Sequence, residues 1–239
     1  MKKYSNKLYC FSPGVMLVTF LFEVFAAGVA LFRYKNSETR RLIVYILLAL
    51  AGFQAAEFMV CGGFGWTGVE WARFGYAAIT LLPPLGLHLT HKIAGRESKK
   101  LVPFAYFTMI AFIVYYIFVT NGVALDHCRA NYSVFNVPQI ASWIYGLYYY
   151  GWMIAAIFIG FNAIKSNKNQ EWNLPTNRIS ALKYLMFGYL AFILPTTYVN
   201  IIDPQTIEGI PSIMCGFAII MAIVLLVSVA PRVLEKKSK

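Results

Sequence analysis

Charge is scarce in this sequence. Of its 239 residues, 13% are Asp, Glu, Lys or Arg, whereas a soluble domain carries about a quarter, because its surface must be solvated. The stretches 74–91, 101–125, 130–164 and 209–231 hold no charge at all, which excludes an ordinary water-soluble globule. Histidine is rarer still. His88, His91 and His127 are the only three, too scattered for the three-His zinc centre of membrane hydrolases. No HExxH, GxSxG or P-loop pattern occurs, no CxxC is present, and no internal repeat is apparent. The last charge-free stretch lacks lysine, which excludes a retinal Schiff base like that of microbial rhodopsins. No metal or other cofactor is expected.

What is present is apolar. Hydrophobic residues make up 59% of the chain, in runs long enough for helices to cross a hydrocarbon core, which takes about 20 residues. Lipid cannot solvate peptide groups, so spans must be helices or a closed barrel; continuous apolar runs argue against a barrel, whose strands alternate. The expected fold is therefore all-α: one polytopic domain, 1–239, with seven transmembrane helices at about 13–33, 42–62, 71–91, 102–121, 139–164, 180–200 and 210–231. The first run follows Met1-Lys2-Lys3 as a signal peptide would, but it contains Glu23 and lacks a small-residue cleavage site, so it reads as a retained helix.

The net charge of +11 does not indicate a nucleic-acid partner, because its distribution follows topology. Sixteen basic residues fall in alternate connections and at the C-terminus: Arg33, Lys35, Arg40, Arg41; Lys92, Arg96, Lys99, Lys100; Lys165, Lys168, Arg178, Lys183; Arg232, Lys236, Lys237, Lys239. Five fall on the other side: Lys2, Lys3, Lys7, Arg73 and Arg129. The positive-inside rule then gives an outer N-terminus and a cytoplasmic C-terminus, in a plasma or bacterial inner membrane, with anionic lipid headgroups as partners of the basic loops.

In this topology Cys10, Cys61 and Cys128 are on or near the outer face, where disulfides are permitted, and are the disulfide candidates; Cys215 lies deeper in the last span. Glu23 shares a stripe with Ser12, Met16 and Thr19, near mid-membrane. Gln54, Glu57 and Cys61 share a stripe of the second span, with Glu57 in the outer third, about 8 Å from the level of Glu23. No span holds an internal Lys or Arg to neutralise either carboxylate. Each is thus expected to be protonated, hydrogen-bonded within the bundle or paired with a ligand cation, and intramembrane carboxylates are functional-site candidates.

Pro83-Pro84 in the third span removes two backbone donors, which should kink the helix and free carbonyls toward the interior. His88 and His91 share a face near the cytoplasmic end, where anchoring or capping is the better reading than metal binding. The run Tyr148-Tyr149-Tyr150 covers most of a helical circumference, so at least one hydroxyl faces the bundle. Pro211 suits a first helical turn, and the amides beside Ser212 suit an anion or carboxylate. A pocket in the outer half is therefore expected, lined by Glu57, Gln54, Tyr149 and Cys215, with Glu23 and Ser212 as further ligand-binding candidates.

Pro138-Gln139 resembles the PQ-loop transporters, without a matching copy in the first span. Trp71-Ala72-Arg73, then Leu81-Leu82-Pro83-Pro84-Leu85, the short basic connection 92–100 and the number and orientation of spans together resemble the seven-helix N-terminal sensor region of bacterial histidine kinases. With only Arg232 to Lys239 after the last span, the resemblance implies a stand-alone sensor that signals through a partner protein; it implies no ligand and no catalytic residue. The leading expectation is a sensor or ligand-binding protein for a small molecule or cation. The alternatives are a small proton- or cation-coupled transporter and, less favoured, an intramembrane enzyme of thiol or lipid chemistry.

Overall fold

A computed structural model describes residues 13–60, 69–96, 98–119, 124–128, 133–136, 139–169, 173–202 and 217–237. The first apolar run folds as helix α1 (Pro13–Arg33). It turns back tightly into α2 (Glu38–Val60), along which it packs. Polar chemistry makes the turn sharp. Ser37 Oγ accepts the Arg40 N–H at 3.1 Å, an N-cap for α2. The Arg40 guanidinium donates to the carbonyls of Leu31 and Tyr34, satisfying groups that the end of α1 leaves without amide partners.

The third run is two helices, α3 (Val69–Thr80) and α4 (Leu82–Ala94), broken at Leu81. Pro83 and Pro84 cannot donate to the preceding turn, so the α-helical ladder lapses there. Gly95, left-handed at φ 70°, closes α4, the conformation glycine adopts at least cost. Helix α5 (Leu101–Val114) runs on as a π-helical turn, Tyr115–Val119. An antiparallel hairpin follows, β1 (Ala124–Cys128) with β2 (Ser133–Asn136), pairing Ala124 with Asn136 and Cys128 with Ser133; β1 lies against α3. The long helices α6 (Gln139–Lys168) and α7 (Thr176–Ile202) come next. The chain then forms α8 (Ala218–Ile223), a second π turn, Val224–Val229, and the short α9 (Ala230–Val233).

Among the described residues, five helices are long and apolar enough to cross a membrane: Gly14–Arg33, Glu38–Val60, Leu101–Val119, Trp143–Lys168 and Thr176–Val199. The architecture is that of a multi-pass helical membrane protein. Seven uninterrupted spans are not what the described residues contain. The third is split by the prolines, and the start of the seventh, 210–216, lies outside the described residues, leaving the shorter apolar stretch Ala218–Val233. Burial ranks the helices by position. Of the most apolar window of α2, 72% is buried, against 17% for α5, so α2 is the central post and α5 a peripheral one. Peripheral side chains such as Phe32, Phe107, Phe118, Leu147 and Ile201 are exposed, as expected where lipid replaces protein as the apolar neighbour.

At the end of the bundle that holds the α1–α2 turn, the C-terminal tail closes back. Tyr34 and Lys236 form an isolated antiparallel bridge, with Lys35 N–H to Glu235 O at 2.8 Å and Lys237 N–H to Arg33 O at 3.0 Å. The Lys35 and Glu235 side chains pair above it at 3.1 Å.

Candidate functional site

The proline break has a direct structural consequence. In an unbroken helix the Thr80 carbonyl would accept the N–H of residue 84; Pro84 has none. The Tyr148 hydroxyl of α6 takes its place, donating to Thr80 O at 2.6 Å. Thr80 Oγ1 donates to Tyr76 O at 2.6 Å, and so accepts from the Tyr145 hydroxyl at 3.1 Å. Of the three consecutive tyrosines, Tyr148 is thus the one whose hydroxyl repairs the break, and Tyr145 one turn earlier supports it. Around them Tyr76, Phe112, Tyr116, Tyr145 and Tyr148 pack as a cluster, with ring centroids 4.7 Å apart for Phe112–Tyr148, 4.8 Å for Tyr76–Tyr116 and 5.3 Å for Tyr116–Tyr145, within the range of favourable aromatic pairs. The Tyr116 hydroxyl in this cluster is buried and has no hydrogen-bond partner among the described residues.

Two cavities flank the cluster. One is a groove of about 330 Å³ between α5 and α6, lined by Ala111, Phe112, Tyr115, Ile140, Ala141 and Ile144. Phe112 belongs to both the groove and the cluster. The other is central and small, about 30 Å³, where Ile46, Leu50, Pro83, Gly86, Tyr149, Met153, Tyr189 and Met221 converge from α2, α4, α6, α7 and α8. That volume has room for about one water. Gly86 is required here: a Cβ on it would stand 2.7 Å from the Tyr189 hydroxyl, which lies 3.4 Å from Thr90 Oγ1 as its donor.

Those candidates named from sequence that lie among the described residues are not gathered in either cavity. Tyr149 lines the central cavity; Gln54, Glu57 and Glu23 line neither cavity. The reason is packing: α2 lies between α1 and α3–α4, so its polar stripe is enclosed by neighbouring helices. Glu57 is fully buried and Gln54 nearly so. Glu23 is fully buried on α1, and neither carboxyl oxygen has a hydrogen-bond partner among the described residues. Counted from the turn, Glu23 stands ten residues up α1 and Glu57 nineteen up α2, on the order of 14 Å apart along the helices, more than the spacing expected from sequence. Cys128 falls in β1. Cys10, Cys61, Ser212 and Cys215 lie outside the described residues, and so do the disulfide pairings that would involve them.

A second polar group, which the sequence reading did not find, sits at the opposite end of the bundle. Glu38 Oε2 pairs with Lys92 Nζ at 2.8 Å and Oε1 with His88 Nε2 at 3.2 Å. His88 Nδ1 meets the Tyr106 hydroxyl at 3.0 Å. With Nε2–H directed at the carboxylate, a neutral ring accepts from Tyr106 at Nδ1. Glu38 is the first residue of α2, ahead of the apolar stretch that begins at Leu42. The chain ties α2, α4 and α5 together. His91 does something different: its Nδ1–H donates to Arg96 O at 2.9 Å, capping α4. Among the described residues no three of His, Cys, Asp and Glu gather as metal ligands.

No protein-family model matches the chain, and no curated protein matches it significantly.

Proposed function

We propose that this chain crosses the membrane seven times with its N-terminus outside, binds a lipophilic small molecule in the outer half of the bundle, and acts as a sensor that reports to a partner protein at the cytoplasmic face. The observation that carries this reading is the groove between α5 and α6. Its volume, about 330 Å³, is within the range of small-molecule sites, about 300–1,000 Å³. Phe112 forms part of its wall and packs on Tyr145 and Tyr148, so an occupant pressing on Phe112 acts on the hydrogen bonds that hold the break between α3 and α4. A π turn adjoins the groove at Tyr115–Val119, a feature frequent at functional sites. The seven-helix kinase sensor regions that the sequence resembles are consistent with this role.

Native mass spectrometry of the protein extracted from its membranes tests it. A lipophilic molecule should remain bound, be lost in Ala141→Trp, which fills the groove, and be retained in Leu147→Trp on the exposed face of the same helix. Retention in both variants, or no bound molecule in the wild type, defeats the reading. Protease accessibility of tags at the two chain ends tests the orientation.

A small proton- or cation-coupled transporter is the second reading, favoured by the buried carboxyl of Glu23. Flux in proteoliposomes that is abolished by Glu57→Gln or Glu23→Gln supports transport; a co-purifying partner protein without flux supports sensing.

A further inference from the structure

Glu23 is a costly residue with no structural return among the described contacts. Helix α1 turns Val15, Val18, Leu21, Phe25 and Phe32 outward and buries Met16, Thr19, Glu23, Ala26, Ala27 and Ala30. Glu23 therefore faces the bundle, fully buried, with both carboxyl oxygens lacking a hydrogen-bond partner among the described residues. A carboxylate held this way needs a countercharge or a proton. The helices packed on α1 supply little charge. On the buried face of α2 from Leu42 to Val60, Glu57 is the sole ionisable group, and it would repel; Glu38, Arg40 and Arg41 lie at the far end of α2. Helix α8 carries no ionisable residue. On α1 itself, Arg33 lies ten residues away, at the turn, with Tyr34 beyond it.

The surroundings of Glu23 are asymmetric along α1. Toward the start of the helix, one turn away, the buried Thr19 presents a hydroxyl, which both donates and accepts hydrogen bonds. Toward the turn, the same face carries only the methyl groups of Ala26, Ala27 and Ala30 before the buried Tyr34. On the buried face of α1 a hydroxyl thus adjoins Glu23 on the first side, and none does on the second before Tyr34.

We propose that Glu23 is a reversible proton-binding site that exchanges with the side of the membrane on which α1 begins and is closed to the other side. The step is a single protonation: a proton from water at that side adds to the carboxylate, giving the neutral acid, and returns by the same route. Such a site registers the acidity of one compartment and does not conduct. It does not depend on which way the bundle faces.

The test uses the full chain in proteoliposomes and dicyclohexylcarbodiimide, a lipid-soluble probe. The protonated carboxyl adds across its carbodiimide bond to give an O-acylisourea, whose acyl group shifts from oxygen to nitrogen to leave a stable N-acylurea, which peptide mass mapping locates. The tail pairs with the α1–α2 turn, so a protease-sensitive tag at the C-terminus marks the end of the bundle opposite residue 13 in the same vesicles. Adduct at Glu23 should fall about tenfold for each pH unit above its titration as the pH is raised on the side of residue 13. It should not change when the pH is raised on the side of the tag. Thr19→Val should slow the response to a pH jump severalfold while leaving its end point unchanged. Absence of adduct at Glu23 at every pH overturns the proposal. So does adduct that follows the pH of the tag side or of both sides, and so does a Thr19→Val variant that responds at the wild-type rate.

Discussion

At the break between α3 and α4, the Thr80 carbonyl, which Pro84 leaves without its amide, has a partner in Tyr148; on α1, ten residues from the turn, the Glu23 carboxyl has none among the described residues. Both regions bury polar atoms in an apolar bundle. The difference separates two uses of polarity. At the break, hydroxyls from α6 restore a hydrogen bond that the prolines removed, so the polar groups hold the fold together. On α1, the carboxyl makes no hydrogen bond among the described residues, and natural proteins accept that kind of cost where activity requires it.

The comparison predicts opposite signs for two substitutions, and the larger effect is at the break. Tyr148→Phe leaves the Thr80 carbonyl unsatisfied in a dry interior, which should lower the unfolding free energy in detergent by about 1–2 kcal/mol. In a Pro84→Ala background, residue 84 regains an N–H that can serve Thr80 O, and the cost of Tyr148→Phe should shrink by more than half. Equal costs in the two backgrounds would mean that the Tyr148 hydroxyl is incidental to the break. Glu23→Met is expected to go the other way. It removes the unpaired carboxyl and keeps the volume, so stability should rise by about 1 kcal/mol. A loss of stability of that size would show that the carboxyl is a structural group after all, and the two regions would then be alike.

Much of this contrast is legible in the sequence. The i, i+3, i+7 spacing of Met16, Thr19 and Glu23 marks the buried face of α1, and the absence of an internal Lys or Arg from the spans already leaves both carboxyls without a countercharge. Pro83-Pro84 announces the break, and three tyrosines in a row guarantee that one faces inward. Which tyrosine, and which carbonyl it serves, is not legible, because that depends on the rotation of α6 against the break between α3 and α4, set by contacts between residues 68 apart. The groove is invisible for the same reason: its walls come from α5 and α6, each apolar on all sides, so periodicity gives no face to pair. The polar chain Glu38–His88–Tyr106 also escapes. His88 and His91 share a face, yet one reaches across to α2 and α5 while the other caps its own helix, a choice made by the position of Glu38 in space. The hairpin β1–β2 lacks a turn dipeptide strong enough to announce it.

A third polar region sharpens the comparison at its weak end. Lys35 and Glu235 pair at 3.1 Å with their side chains 57% and 80% exposed, directly above the backbone bonds that fasten the tail to the α1–α2 turn. Water solvates both charges nearly as well apart as together, so the pair itself should contribute little. Lys35→Ala should cost less than about 0.5 kcal/mol in the same unfolding measurement, and that difference should vanish near 1 M salt, where the screening length falls to about 3 Å. The tail should stay fastened, with the amides of Lys35 and Lys237 still protected from hydrogen exchange, because it is held by main-chain bonds that the substitution leaves in place. A cost above about 1 kcal/mol, or loss of that protection, would place the side-chain charges rather than the backbone in control of the tail. The exposed end of the bundle would then depend on polar pairing as strictly as the buried break does.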